Sequence, residues 1–250
     1  MTHKKKVGVV LAAGEGKRLR PLTLKTPKCL VNVLGKPILH YQLEAFCNAG
    51  ISPVIVVTGH LSYKVREFIH EYAPHPDVVI VENPNYKETN NMYSFDIAYD
   101  YLKENENVRE IFLINGDVIV TPELMIYATN KIGSRVFIDR SIYLSESMKV
   151  KAKEGRVVDI SKDINENEAY GVSIDLYKLQ SEQAEILHNI VEDYVNRGIV
   201  NNWTEIAIQK GVHDGLLRLK TCDITGYVWW EIDNFEDLRR AEYRLSLIHI

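Results

Sequence analysis

A chain of 250 residues with 46% hydrophobic and 26% charged side chains has the balance of an ordinary globular protein able to bury a substantial core. Its 34 acidic against 30 basic residues, a formal charge of -4, argue against a nucleic-acid or membrane-surface binder, so any phosphate recognition has to be local. Cys29, Cys47 and Cys222 are widely spaced and none of the eight histidines stands in an HExxH pattern, which leaves no disulfide framework and no protein-built zinc site; free thiols fit a reducing cytoplasm.

At the start of the chain, Lys4–Lys6 followed by Val7–Ala13 imitates a signal peptide. Glu15, Lys17 and Arg18 then stand where a small-residue cleavage site belongs, so a buried first strand explains the letters better. No apolar run reaches bilayer length, and no membrane insertion is expected. From there the pattern alternates. Val7–Leu11 reads as a strand, Pro37 opens a helix through Phe46 with Gly50 as its stop, and Val54–Thr58 is a second strand. A helix from about Ser62 to Tyr72, a strand over Val78–Glu82, a helix over Ser94–Lys103, a strand over Ile111–Asn115 and a helix capped by Thr121-Pro122 follow. Such alternation predicts βαβ units and a parallel sheet with helices on both faces.

The second half changes character. Val136–Asp139, Ser145–Ala152 and Val157–Lys162 read as strands, the last two joined by a Glu154-Gly155 hairpin turn. Gly171–Tyr177 is a further strand, Gln180–Asn196 an amphipathic helix ending near Gly198, Leu217–Asp223 a strand, and a final helix starts at Phe235. No linker divides the halves and no repeat is visible, so one domain spanning residues 1–250 is expected. Residues 245–250 fit a packed helix end or a frayed one equally.

The segment after the first strand carries the chemistry: Leu11-Ala12-Ala13-Gly14-Glu15-Gly16-Lys17-Arg18-Leu19-Arg20-Pro21-Leu22-Thr23, continuing to Pro27-Lys28. It lies where open parallel sheets bind ligands, beyond the strands' carboxyl ends. Small residues let backbone N–H groups approach an anion, and Arg18 and Lys28 supply fixed positive charge. A Walker loop would need Gly at Leu11 and Ser or Thr at Arg18, and a dinucleotide fingerprint would need Gly at Leu19; both fail. An ordinary βα turn would require none of the Arg, Pro and Lys placements.

This string resembles the signature of the sugar-phosphate nucleotidyltransferase family at Gly14, Gly16, Arg18, Pro21, Leu22, Thr23, Pro27 and Lys28. The resemblance implies an α/β fold: a mostly parallel, Rossmann-like twisted sheet with helices on both faces and a small antiparallel elaboration. It divides the domain into a nucleotide-binding half (1–130), an acceptor-binding half (131–233) and a C-terminal helix (234–250). It further implies that Leu11 to Gly16 and Lys28, with Gly59 after the second strand, hold an NTP, Lys28 meeting the α-phosphate. Asp117, just past a strand, and Asp233, after another apolar run, match the family's paired Mg²⁺ ligands; singly each is an ordinary turn or surface Asp. The implied catalytic set is Arg18, Lys28, Asp117 and Asp233. The implied reaction is an in-line attack by an already ionised acceptor oxygen on the α-phosphorus, with release of pyrophosphate and no general base.

Base and acceptor are read from two further segments. Thr89-Asn90-Asn91-Met92-Tyr93-Ser94 departs from the Gly-Leu-Ala-Gln-like segment of hexose-1-phosphate members. It resembles the cytidylyltransferase branch acting on phosphocholine and aminoalkyl phosphonates. Asn90, Asn91 and Ser94 are the implied base-side residues, although amides alone do not separate cytosine from uracil, and an Asn at a helix start also serves as an N-cap. Glu168, Tyr170 and Gly171 resemble the acceptor-side strand, with Trp203, Trp230 and Glu231 expected nearby. Trp203, Trp229, Trp230 and Tyr170 can furnish an ammonium cage, or can simply be core. CTP is the favoured nucleotide, with phosphocholine or 2-aminoethylphosphonate as the phosphorylated small-molecule acceptor. The alternatives are a hexose-1-phosphate uridylyl- or thymidylyltransferase and an inactive regulatory homologue. The oligomeric state, a homo-oligomer included, is left open.

Overall fold

A computed structural model describes residues 5–72, 77–105 and 107–246. In chain order these form β1 (Lys5–Ala12), β2 (Asn32–Val33), β3 (Lys36–Pro37), α1 (Ile38–Asn48), β4 (Val54–Thr58), α2 (Ser62–Tyr72), β5 (Val78–Glu82) and α3 (Asn91–Asn105). Next come β6 (Val108–Asn115), β7 (Val118–Val120), α4 (Pro122–Thr129), β8 (Arg135–Asp139), β9 (Lys149–Lys153) and β10 (Arg156–Ser161). The rest is β11 (Gly171–Gln180), α5 (Ser181–Asn196), α6 (Thr204–His213), β12 (Lys220–Asp223), β13 (Trp229–Glu231) and α7 (Phe235–Ser246).

The central sheet runs β5-β4-β1-β6-β11-β8-β12-β10-β9. Its first four strands are parallel, and β1 shows why its sequence is apolar throughout. Val7, Val9 and Leu11 enter one core cluster with Met92 and Phe95 of α3 and Leu187 of α5. Val10 and Ala12 enter the other, with Leu39 and Phe46 of α1 and Leu124 of α4. Successive side chains point to opposite faces, and both faces are covered. Leu11 is paired with Val57 and with Asn115, so the loops after β1, β4 and β6 all open at one edge of the sheet.

Beyond β6 the sheet becomes mixed. β11 is antiparallel to both β6 and β8, β12 is parallel to β8, and β10 and β9 form the Glu154-Gly155 hairpin. β9 also pairs with Gly171 and Val172 of β11, curling the far edge back on itself. The antiparallel part is therefore a five-strand continuation of the same sheet. A separate ribbon pairs β13 with β7, and beneath it a third cluster packs Leu19, Val31 and Tyr41 against Ile232, Ala241 and Leu245.

Several boundaries differ from the sequence pattern. Residues 145–148 turn rather than extend, with Ser147 N donating to Leu144 O, so the strand expected from Ser145 begins at Lys149. α3 starts three residues before Ser94, where Tyr93 N and Ser94 N already donate back to Asn90 O at 3.1 and 3.4 Å. α6 has no counterpart in the sequence reading. Leu245, in the last turn of α7, is buried in the third cluster, while residues 247–250 lie outside the described residues. Among the described residues no helix is long and apolar enough to cross a membrane.

Candidate active site

The loop after β1 is tied down at both ends. Gly16 takes a left-handed φ of +61°, and a Cβ there would lie 3.0 Å from Thr23 Cγ2 and 3.1 Å from Lys28 Cβ, so only glycine passes this point without strain. Thr23 Oγ1 donates to Gly16 O at 2.8 Å, and His60 Nε2 lies 2.9 Å from Thr23 O. The Pro-Leu-Thr part of the motif is thus a brace. Among the described residues the N–H groups of Gly14, Glu15 and Gly16 donate to no protein acceptor, which leaves them free for an anion.

This loop forms one wall of a cleft of about 460 Å³. Opposite it stand Asp117, on the turn between β6 and β7, and Asp233, after β13. The ribbon registers them: Glu231 pairs with Val118, and Ile232 N donates to Asp117 O at 3.0 Å. Lys28 Nζ lies between the two carboxylates, 2.5 Å from Asp117 Oδ2 and 2.7 Å from Asp233 Oδ1, and Arg18 reaches Asp233 Oδ2 at 2.8 Å. Burial alone would lower the Lys28 pKa, but the two carboxylates outweigh it and hold the ammonium above its ordinary range. Burial likewise pushes Asp233 up, and Lys28 and Arg18 bring it below the usual carboxylate value.

Carboxylate oxygens of Asp117, Glu231 and Asp233 come within 4.8 Å of one another, and buried Asp117 Oδ1 has no hydrogen-bond partner among the described residues. An all-oxygen donor set with an orphaned acceptor fits a hard divalent cation.

Comparison with known proteins agrees with this geometry. The family model described as nucleotidyl transferase matches residues 7–173. The chain belongs to the nucleotidyl transferase family. It is 30% identical over 247 residues to the CMP-5'-(3-aminopropyl)phosphonate synthase of Streptomyces rubellomurinus, covering 95% of this chain but only 38% of that protein's length. It is 25% identical to the choline-phosphate cytidylyltransferase of Streptococcus pneumoniae, covering 94% of this chain and 96% of that one. In fold it is similar to the inositol-1-phosphate CTP transferase of T. maritima, with a TM-score of 0.79 at 22% identity over 99% of this chain and 97% of that one.

In this nucleotidyl transferase chain the expected residues divide into two groups. Leu11 to Gly16, Arg18, Lys28, Asn90, Asn91, Ser94, Asp117, Trp203, Glu231 and Asp233 all line the cleft. Gly59 does not. A Cβ there would fall 2.6 Å from Tyr86 Cβ and 2.8 Å from Ala13 O, so this glycine serves the close approach of two loops rather than a ligand. Glu168 pairs with Lys151 at 3.0 Å, away from the cleft. Tyr170 and Gly171 border a separate cavity of about 190 Å³, where Arg140 lies over the Tyr170 ring at 4.4 Å. Trp230 packs against the cluster beneath the ribbon, with Arg244 over its ring. Trp229 is buried, its Nε1 donating to Asp139 Oδ2 at 2.9 Å. The four-aromatic cage does not assemble; of its members only Trp203 reaches the cleft.

The amides on the base side are partly committed. Asn91 Oδ1 accepts from Thr204 N at 2.9 Å and Asn91 Nδ2 donates to Asn115 Oδ1 at 3.2 Å, so this side chain ties α3 to α6 and β6. Asn90 caps α3.

What the sequence reading missed lies at the cleft's far end. Asp175 and Glu205 line it, Asp175 on a bulge of β11 between the paired residues Ser173 and Tyr177, with φ +54°. Asn115 Nδ2 donates to Asp175 Oδ2 at 3.0 Å, and Tyr177 OH donates to Glu205 Oε1 at 2.9 Å. Burial, reinforced by Glu205 and Asp117, raises the Asp175 pKa well above its ordinary value, and burial raises that of Glu205. Lys162 also lines the cleft, its Nζ 4.5 Å from the Trp203 ring, and makes no ion pair among the described residues. An acid inside a strand pattern gave no signal for Asp175, and Glu205 stands on the helix the pattern omitted.

Proposed function

We propose that this chain transfers CMP from CTP to a small phosphate- or phosphonate-bearing acceptor and releases pyrophosphate. The observation that carries the proposal is the meeting, in one cleft, of a cradle of free N–H groups with two carboxylates, one from mid-chain and one from its last part, registered by the β7–β13 ribbon. An acceptor oxygen forms a bond to the α-phosphorus as the bond to the bridging oxygen breaks, and the electron pair leaves on pyrophosphate. The acceptor is already ionised at neutral pH, so no side chain has to remove a proton. The cradle and Arg18 bind and orient the triphosphate, and Lys28 places positive charge where negative charge develops. Asp117 and Asp233, with Glu231 beside them, would hold Mg²⁺, which when bound supplies charge neutralisation at the phosphates.

The acceptor end supports an amine-bearing molecule. Asp175, Glu205 and Glu231 give it an acidic wall, and Lys162 is the cation suited to the acceptor's phosphate or phosphonate. With one aromatic in place of a cage, and that one faced by Lys162, the wall suits a hydrogen-bonding ammonium, as in 2-aminoethylphosphonate, better than the trimethylammonium of phosphocholine. The names of the phosphonate synthase and the choline-phosphate cytidylyltransferase support the cytidylyl and phospho-acceptor parts of this reading. The free thiols of Cys29, Cys47 and Cys222 suit a cytoplasmic enzyme.

Pyrophosphate release, measured with Mg²⁺ and each of the four NTPs across aminoalkyl phosphonates, phosphocholine and hexose 1-phosphates, tests the proposal. CTP-dependent release with an amine-bearing acceptor is expected. Exclusive use of UTP or dTTP with a hexose 1-phosphate would overturn the cytidylyl assignment.

A further inference from the structure

Lys28 stands on the oxygen atoms that a divalent ion would need. Its ammonium contacts Asp117 Oδ2 and Asp233 Oδ1, and Arg18 takes the remaining oxygen of Asp233. Two cations thus already neutralise the two acids, and only Asp117 Oδ1 stays without a partner. The lysine side chain is 15% exposed, and the two carboxylates are 21% and 18% exposed. At that burial the contact is little screened by water, and a metal arriving alone has to displace it.

From this contact we propose that Lys28 is an internal counter-ion that keeps divalent metal out of the site until a nucleotide arrives. The inference rests on the assignment of Asp117 and Asp233 as metal ligands. A triphosphate bound on the Gly14–Gly16 loop of the same cleft would offer Lys28 another anionic partner and so free both carboxylates. Metal and nucleotide affinities are then linked, each raising the other by the same factor. The same contact holds the acids together, because Asp117, Glu231 and Asp233 without a cation among them would repel one another at close range.

The test uses Mn²⁺ as the probe, its free concentration read by electron paramagnetic resonance, on nucleotide-free wild type and Lys28→Met. The variant is expected to bind Mn²⁺ at least about tenfold more tightly, since a buried unit charge beside two carboxylates is removed. Mn²⁺ is likewise expected to raise the melting temperature of the variant more than that of wild type. In wild type, the unreactive analogue α,β-methylene-CTP is expected to tighten Mn²⁺ binding; in Lys28→Met this gain shrinks. Should Lys28→Met not fold, Lys28→Gln carries the same comparison with a polar side chain in place. Equal Mn²⁺ affinity of the nucleotide-free proteins overturns the counter-ion role and leaves the metal assignment standing. No Mn²⁺ binding by either protein, even with the analogue, overturns both.

Discussion

At one end of the cleft the chain presents donors: the N–H groups of Gly14 to Gly16, the Arg18 guanidinium and the Lys28 ammonium. At the other it presents the acids Asp175 and Glu205, whose pKa values burial raises, for Asp175 together with neighbouring acids; Glu231 lies between the two ends, beside Asp117 and Asp233. The two ends also differ in construction. The donor end hangs from parallel strands whose carboxyl edges align, so neighbouring loops supply it. The acid end is assembled from a bulge in β11 and the start of α6, which neither strand alignment nor a single loop brings together. On the proposed reaction, a triphosphate needs the same kind of cradle whichever product is made, whereas the acceptor would meet side chains that a different bulge or helix start would replace.

The largest test of this contrast is Asp117→Asn, which removes a carboxylate charge from beside Lys28. A loss of about 10²–10³ in kcat, roughly 3–4 kcal/mol of barrier, is expected by analogy with loss of one charge-stabilising group; pyrophosphate release measures it, and unchanged turnover would sink the ligand assignment. Asp175→Asn acts on the opposite end. We expect KM for an amine-bearing acceptor to rise by about tenfold or more, the worth of one hydrogen bond to a charged group, while KM for CTP stays put. Equal effects on both constants would break the division of the cleft.

Gly59→Ala asks whether the loop geometry, rather than a ligand contact, explains that position. Urea unfolding should show a loss of about 1–3 kcal/mol from the clash with Tyr86 and Ala13. Asp139 provides the smallest effect, through pH. Burial pushes its pKa up, but hydrogen bonds from Ser141, Trp229 and Thr225 outweigh this and leave it below the usual 3.8. Its stabilisation is therefore fully present above that value and lost as pH falls through the lower folded one. Asp139→Asn should cost about 1 kcal/mol near neutrality and flatten the acid limb of a melting-temperature profile below about pH 4. An unchanged acid limb would deny Asp139 that role.

The donor end was legible because its constraints are local. Gly16 has to turn left, Thr23 has to reach back to Gly16 O, and Lys28 follows within one loop. Asp117 and Asp233 were legible by resemblance, not by spacing. The acid end was opaque for a physical reason: Asp175 faces the cleft only because β11 slips register between Ser173 and Tyr177, which no period-2 pattern announces. Glu205 was hidden with α6, whose exposed start at Trp203 and internal Gly211 blurred the helical period. Glu168, Tyr170 and Trp230 looked apt by type, yet curvature of β9 against β11 and packing under the ribbon carry them elsewhere.

Lys28 and Asp233, 205 residues apart, are neighbours only because β13 zips onto β7. On the ribosome the cradle, Lys28 and Asp117 emerge long before that strand exists. The pairing of Lys28 with Asp233 therefore waits on the Trp229–Glu231 strand. Products ended ahead of Trp229 would keep the parallel strands β5, β4, β1 and β6 yet lack Asp233.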